Sequence, residues 1–97
     1  MAPKKQPLEL KSALDNLAHD LGITRRLREY NVITLWAQIV GDQIARVATA
    51  RRVENRVLFV EVSSAPWRAE LSMRRQEIME KINRAVGRHV IREIRFR

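Results

Sequence analysis

The stretch Thr49-Ala50-Arg51-Arg52-Val53-Glu54-Asn55-Arg56-Val57-Leu58-Phe59-Val60-Glu61-Val62-Ser63-Ser64-Ala65-Pro66 decides the fold. Two runs within it, Thr49 to Val53 and Val57 to Ser63, are rich in β-branched and aromatic residues and flank Glu54-Asn55-Arg56, a polar connection of hairpin length. They predict a β-hairpin. Successive strand residues point to opposite faces, so Leu58, Val60 and Val62 share the face that meets the core, while Val57, Phe59 and Glu61 share the other. Phe59 is thereby left towards solvent. Ser63 and Ser64 then supply cap oxygens and Pro66 fits a first helical turn, so the stretch ends by opening a helix.

Downstream, Trp67, Leu71, Ile78, Ile82 and Val86 form a stripe that stops at Gly87, which predicts a helix of about 20 residues. His89 to Arg97 alternates again, with Val90, Ile94 and Phe96 on one face, Arg92 interrupting it, and Ile91, Glu93, Arg95 and Arg97 on the other. Upstream, Leu10, Leu14, Leu17 and Leu21 recur every three or four residues between Pro7 and the closing Gly22, predicting a first helix. Thr24 caps a short turn containing Leu27 and Tyr30, and Ile33, Trp36, Val40 and Ile44 mark a second helix over Ile33 to Ala45, broken near Gly41. Residues 1–6 read as a flexible tail and residues 7–97 as a single globular domain. The order α-α-β-β-α-β describes an α+β two-layer sandwich: a three-stranded sheet packs one face on the helices and leaves the other bare. The expected core comprises Leu14, Leu17, Trp36, Val40, Leu58, Val60, Val62, Trp67, Leu71, Ile78, Ile82, Ile94 and Phe96.

A chain of 97 residues holds one core of this kind and has no room for a barrel or dinucleotide-binding enzyme. Its formal charge is +8, from 19 Lys and Arg against 11 Asp and Glu, and 15 of the 19 cations are Arg. Such a field attracts polyanions, and the planar guanidinium suits bidentate phosphate contacts better than an ammonium does. The charge is uneven: residues 1–45 carry six cations and five anions, residues 46–97 thirteen and six. With no cysteine there is no disulfide or thiolate chemistry, and no apolar run approaches the roughly 18 residues that span a bilayer. The reading is a cytoplasmic, non-membrane protein.

Catalysis finds no residue set. His19 and His89 are the only histidines and lie 70 residues apart, and no carboxylate cluster has metal-ligand spacing, so neither metal nor cofactor is expected. Glu70 to Arg74, Glu77 to Lys81 and Glu80 to Arg84 are acid-before-base pairs at i, i+4, which explain those cations as helix-stabilising. Arg68 and Arg75, seven apart on the same helix, have no such carboxylate, and Arg88 follows Arg84 as a like-charge neighbour. Arg51, Arg52 and Arg56 crowd the hairpin, and Arg95 and Arg97 join Phe59 on the bare face if the last strand pairs beside it. An aromatic ring edged by guanidiniums is a stacking platform for nucleic-acid bases. Arg51, Arg52, Arg56, Phe59, Arg68, Arg75, Arg88, Arg95 and Arg97 are therefore the expected nucleic-acid-binding residues. DNA, RNA and an acidic protein partner all answer to this charge.

Leu35-Trp36-Ala37-Gln38-Ile39-Val40-Gly41 followed by Ile44-Ala45, then Leu58 through Leu71 with its Ser63-Ser64-Ala65-Pro66-Trp67 centre, and finally Ile91-Arg92-Glu93-Ile94-Arg95-Phe96, resemble the DciA family over nearly the whole chain. The resemblance implies a K-homology-like fold and a role as a bacterial replicative helicase loader, with DNA (single-stranded or forked) and the helicase DnaB as partners. The Gly-x-x-Gly loop with which K-homology domains clamp a nucleic-acid backbone is absent, since Gly22, Gly41 and Gly87 stand far apart. Binding must then use side-chain cations and the sheet. The alternatives are an RNA-binding K-homology-like module and a protein-protein adaptor, its oligomeric state open.

Overall fold

The computed structural model describes residues 7–97; the expected tail, residues 1–6, lies outside the described residues. Six helices and three strands follow one another as α1 (Pro7–Asp20), α2 (Ile23–Thr34), α3 (Trp36–Val40), α4 (Asp42–Ala45), β1 (Ala48–Glu54), β2 (Val57–Val62), α5 (Ala65–Met73), α6 (Arg75–Val86) and β3 (Glu93–Phe96). The fold is α+β.

The hairpin sets the sheet. β1 and β2 pair antiparallel, and β3 joins β2 in parallel after the α5–α6 crossover, giving the order β1-β2-β3. Leu58, Val60, Val62 and Ile94 face a cluster of Val32, Trp36, Val40, Leu71, Ile78 and Ile82, all buried. Each fully buried aliphatic side chain contributes about 1.5–3 kcal/mol relative to exposure. Trp36 adds a directional bond: its indole N–H donates to the Ala48 carbonyl at 2.9 Å, tying α3 to the start of β1. Ser64 caps α5 by accepting from the Trp67 backbone N–H at 3.4 Å. Trp67 and Phe96 are only partly buried at the margin of the core.

Four expectations about the helices and the last strand need correction. Leu14 and Leu17 are not core residues: they are 57% and 54% exposed, and none of the described side chains of α1 belongs to the core cluster. Their periodicity is genuine, but among the described residues the only substantial neighbour of α1 is α2, which leaves the stripe half-exposed. The single helix expected from Pro66 to Val86 is interrupted at Arg74 (φ −97°, ψ 8°), whose N–H bonds to the carbonyls of both Glu70 and Leu71 as one helix ends and the next begins. The helical turn expected after Thr24 extends to a full helix, α2, which takes in Ile33, so the helix expected over Ile33 to Ala45 is cut at Leu35 (φ −99°, ψ 3°) as well as at Gly41, where a break was expected.

The last strand starts at Glu93 rather than His89. Gly87 (φ 127°, ψ 152°) and His89 (φ 61°) turn the chain first, and Val90 and Ile91 are both buried instead of alternating. Asn83 stands in for a strand there, its amide donating to the Ile91 carbonyl and its oxygen accepting from the Ile91 N–H, both at 3.3 Å. Gly87 occupies a region essentially reserved for glycine, and a Cβ there would sit 3.3 Å from an Arg28 guanidinium nitrogen. Gly87→Ala is expected to cost about 1–3 kcal/mol. In thermal unfolding this should lower the Tm by about 5–20 °C.

Candidate nucleic-acid interface

The outer face of the sheet is assembled by strand register. Arg52 on β1 lies opposite Phe59, and Phe59 lies opposite Arg95 on β3, so one ring sits between two arginines on neighbouring strands. The guanidinium carbons of Arg52, Arg97 and Arg95 stand 4.2, 5.3 and 5.7 Å from the Phe59 ring centroid. Each distance is within cation–π range. A bulge between Ala50 and Arg52 inserts Arg51 into β1 without a partner on β2, which leaves Arg51 and Arg52 both exposed side by side.

Carboxylates on the same face temper this charge. Arg51 Nε donates to Glu61 at 2.7 Å, Arg52 Nε to Glu54 at 3.0 Å and Arg95 Nε to Glu93 at 3.1 Å. The last two pairs are spaced i, i+2, which strand geometry puts on one side. All three are half-exposed. Pairs of that kind contribute about 0–1 kcal/mol, so a phosphate can displace the carboxylate at little cost. Among the described residues Arg97 has no carboxylate partner.

At the hairpin turn Arg56 Nε donates to the His89 carbonyl at 2.8 Å and the Arg92 N–H donates to the Arg56 carbonyl at 2.8 Å. Arg56, Arg92 and, one residue before His89, Arg88 thus come to one end of β2. At the other end Arg68 Nη1 donates to the Val62 carbonyl at 3.0 Å, while the Val62 N–H donates to the Arg97 carbonyl at 2.6 Å. The Arg56 and Arg68 guanidiniums therefore stand at the two ends of β2, a six-residue strand about 20 Å long, with Arg52, Arg95 and Arg97 between them around Phe59. Arg75 stands apart from Arg68: the break at Arg74 puts them on different helices, and Arg75 lies 5.8 Å from the Phe96 ring centroid.

Sequence reasoning explained Arg84 of α6 by a pair with Glu80 and left Arg92 out of the expected binding residues. Arg84 is not paired with Glu80, although Glu70–Arg74 (2.8 Å) and Glu77–Lys81 (3.5 Å) form as expected. It lines a shallow depression on the α6 side with Glu80, Asn83, Gly87 and Arg88. The signal for Arg92 was its break in an otherwise apolar alternation. Among the described residues, eight of the thirteen Lys and Arg in 46–97 have no carboxylate within ion-pair distance. No group of three or more His, Asp or Glu able to hold a metal occurs among the described residues, and no helix there is long and apolar enough to cross a membrane.

Fold and surface together define a small, basic α+β domain with an arginine-lined sheet. Residues 9–96 match the family described as Dna(CI) antecedent, DciA, and the chain belongs to that DciA family. It is 33% identical over 92 residues to a UPF0232 protein of Mycolicibacterium smegmatis, covering 95% of this chain and 47% of that relative. A UPF0232 protein of Mycobacterium tuberculosis is 32% identical, with 95% and 49% covered, and one of Rhodococcus jostii is 29% identical with the same coverage. The chain thus spans about half the length of the curated relatives it matches.

Proposed function

We propose that this domain is a non-enzymatic DNA-binding accessory of replication that holds single-stranded or forked DNA against the β2 face and serves the loading of the replicative helicase DnaB through another face. The observation that carries DNA binding is the Phe59 ring ringed by Arg52, Arg95 and Arg97, continued by Arg56 at one end of β2 and Arg68 at the other. Guanidiniums neutralise phosphates, and the ring offers a face on which a base can stack once Arg52 swings onto a phosphate. Arg51 and Arg75 flank this strip and contribute to the field. The helicase role rests on membership of the DciA family, and the domain acts in the cytoplasm, where replication takes place.

Five arginine–phosphate contacts on a single strand give a logarithmic salt slope of about 3.5, so affinity should fall about a hundredfold between roughly 50 and 200 mM salt. Fluorescence anisotropy with single-stranded, double-stranded and forked DNA beside RNA of matched length measures this. A flat titration removes the phosphate mechanism, and tighter binding to RNA favours an RNA-binding module instead. The competing carboxylates give a converse prediction: Glu54→Gln with Glu93→Gln frees Arg52 and Arg95 and should tighten DNA binding about three- to tenfold. Copurification with DnaB tests the helicase role.

A further inference from the structure

Leu10, Leu14 and Leu17 of α1 and Leu21 just beyond its end are spaced four, three and four residues apart, and the exposed apolar residues of α2, Ile23, Leu27 and Tyr30, repeat the same four-then-three spacing. All seven are between 49% and 64% exposed. Strict four-three spacing is the narrow seam of a helix that packs on one other helix, whereas a helix lying on a globular core shows a wider stripe. Among the described residues the seam of α1 meets no element but α2 to any extent, and its leucines stay half-exposed. The molecule measures 69 × 23 × 18 Å, and its radius of gyration of 17.5 Å exceeds the roughly 12–13 Å of a compact domain of this length. α1 extends from the body as an arm.

Charge selects the occupant. α1 carries Glu9, Asp15 and Asp20 against Lys11, whereas α2 carries Arg25, Arg26 and Arg28 against Glu29. Two α1 helices repel, while α1 of one copy and α2 of another attract. A two-fold axis makes that contact twice, because each copy offers both seams. Seven half-exposed large side chains present on the order of 700 Å² per copy, close to the roughly 800 Å² per partner of a standard interface. We infer that this chain forms a symmetric homodimer in which the α1 arm of each copy lies along α2 of the other.

The inference is independent of DNA binding, and sedimentation velocity of the chain without DNA tests it. The wild type should pass from monomer to dimer with a midpoint in the micromolar range, and Leu17→Asp should weaken association more than about tenfold, as expected for one leucine lost from a seam. Arg26→Glu, which leaves the seam intact, should also weaken it by turning attraction into repulsion. Because the chain lacks cysteine, a mixture of Leu17→Cys and Leu27→Cys proteins under mild oxidation should give mainly the mixed covalent dimer. A wild type that stays monomeric at hundreds of micromolar overturns the inference. So does a cross-linked Leu17→Cys homodimer that outcompetes the mixed species, since it would put α1 against α1.

Discussion

The triple variant Arg52→Gln, Arg95→Gln and Arg97→Gln is expected to bind single-stranded DNA about a hundredfold more weakly than the wild type at about 0.1 M salt. Each single-strand phosphate contact releases about 0.7 of a counterion, worth on the order of 1 kcal/mol at that salt, and three contacts multiply to about two powers of ten. The salt slope should fall by about two units in the same titration. The three side chains lie on the outer face and none is part of the core cluster, so the melting temperature should move only slightly. Phe59→Ala separates the two parts of the site: it should cost about 1–3 kcal/mol of stacking while leaving the slope unchanged. A triple variant that loses affinity without losing slope would locate the phosphates elsewhere, with the unpaired Arg84, Arg88 and Arg92 the next to replace.

The largest effect on stability is expected at Trp36. It is 4% exposed, fills the space between the helices and β1, and satisfies the buried Ala48 carbonyl. Trp36→Ala removes the ring, which in a core costs about 3–5 kcal/mol, and leaves the carbonyl unpaired for about 1–3 kcal/mol more. Against a typical total of about 5–15 kcal/mol, the variant should be largely unfolded at physiological temperature. Trp36→Phe keeps most of the ring and loses the bond, so it should remain folded with a lower urea midpoint. Equal loss in the two variants would mean that the hydrogen bond, rather than the volume, holds α3 to the sheet.

What the sequence revealed follows from which interactions are local. The hairpin was legible because a period of two over Val57 to Val62, with a polar connection before it, has one reading. The ladder and the buried Leu58, Val60 and Val62 agree with it. The α1 leucines were misread because periodicity says that a face needs covering, not whether the same chain covers it. The helix break at Arg74 and the delayed start of β3 depend on where the crossover must land, which no local pattern encodes. The same holds for the site. Phe59 beside Arg95 and Arg97 required β3 to lie next to β2, an inference of topology that held. The cross-strand pair of Arg51 with Glu61 depends on a bulged register, and the bond from Arg68 to Val62 on the angle between α5 and β2. Neither has a signature in residue spacing.

The bulge at Arg51 has a consequence for solubility. The sheet has two free margins, and an unprotected strand margin is a template on which other chains can add and grow into fibrils. On one side the irregular arginine-bearing strand lacks the flat, evenly spaced donors and acceptors that templating needs; on the other, the four residues of β3 are too few to offer much purchase. Deleting Arg51 is expected to straighten that margin and remove one repelling charge, which should raise the rate at which further strands add to it.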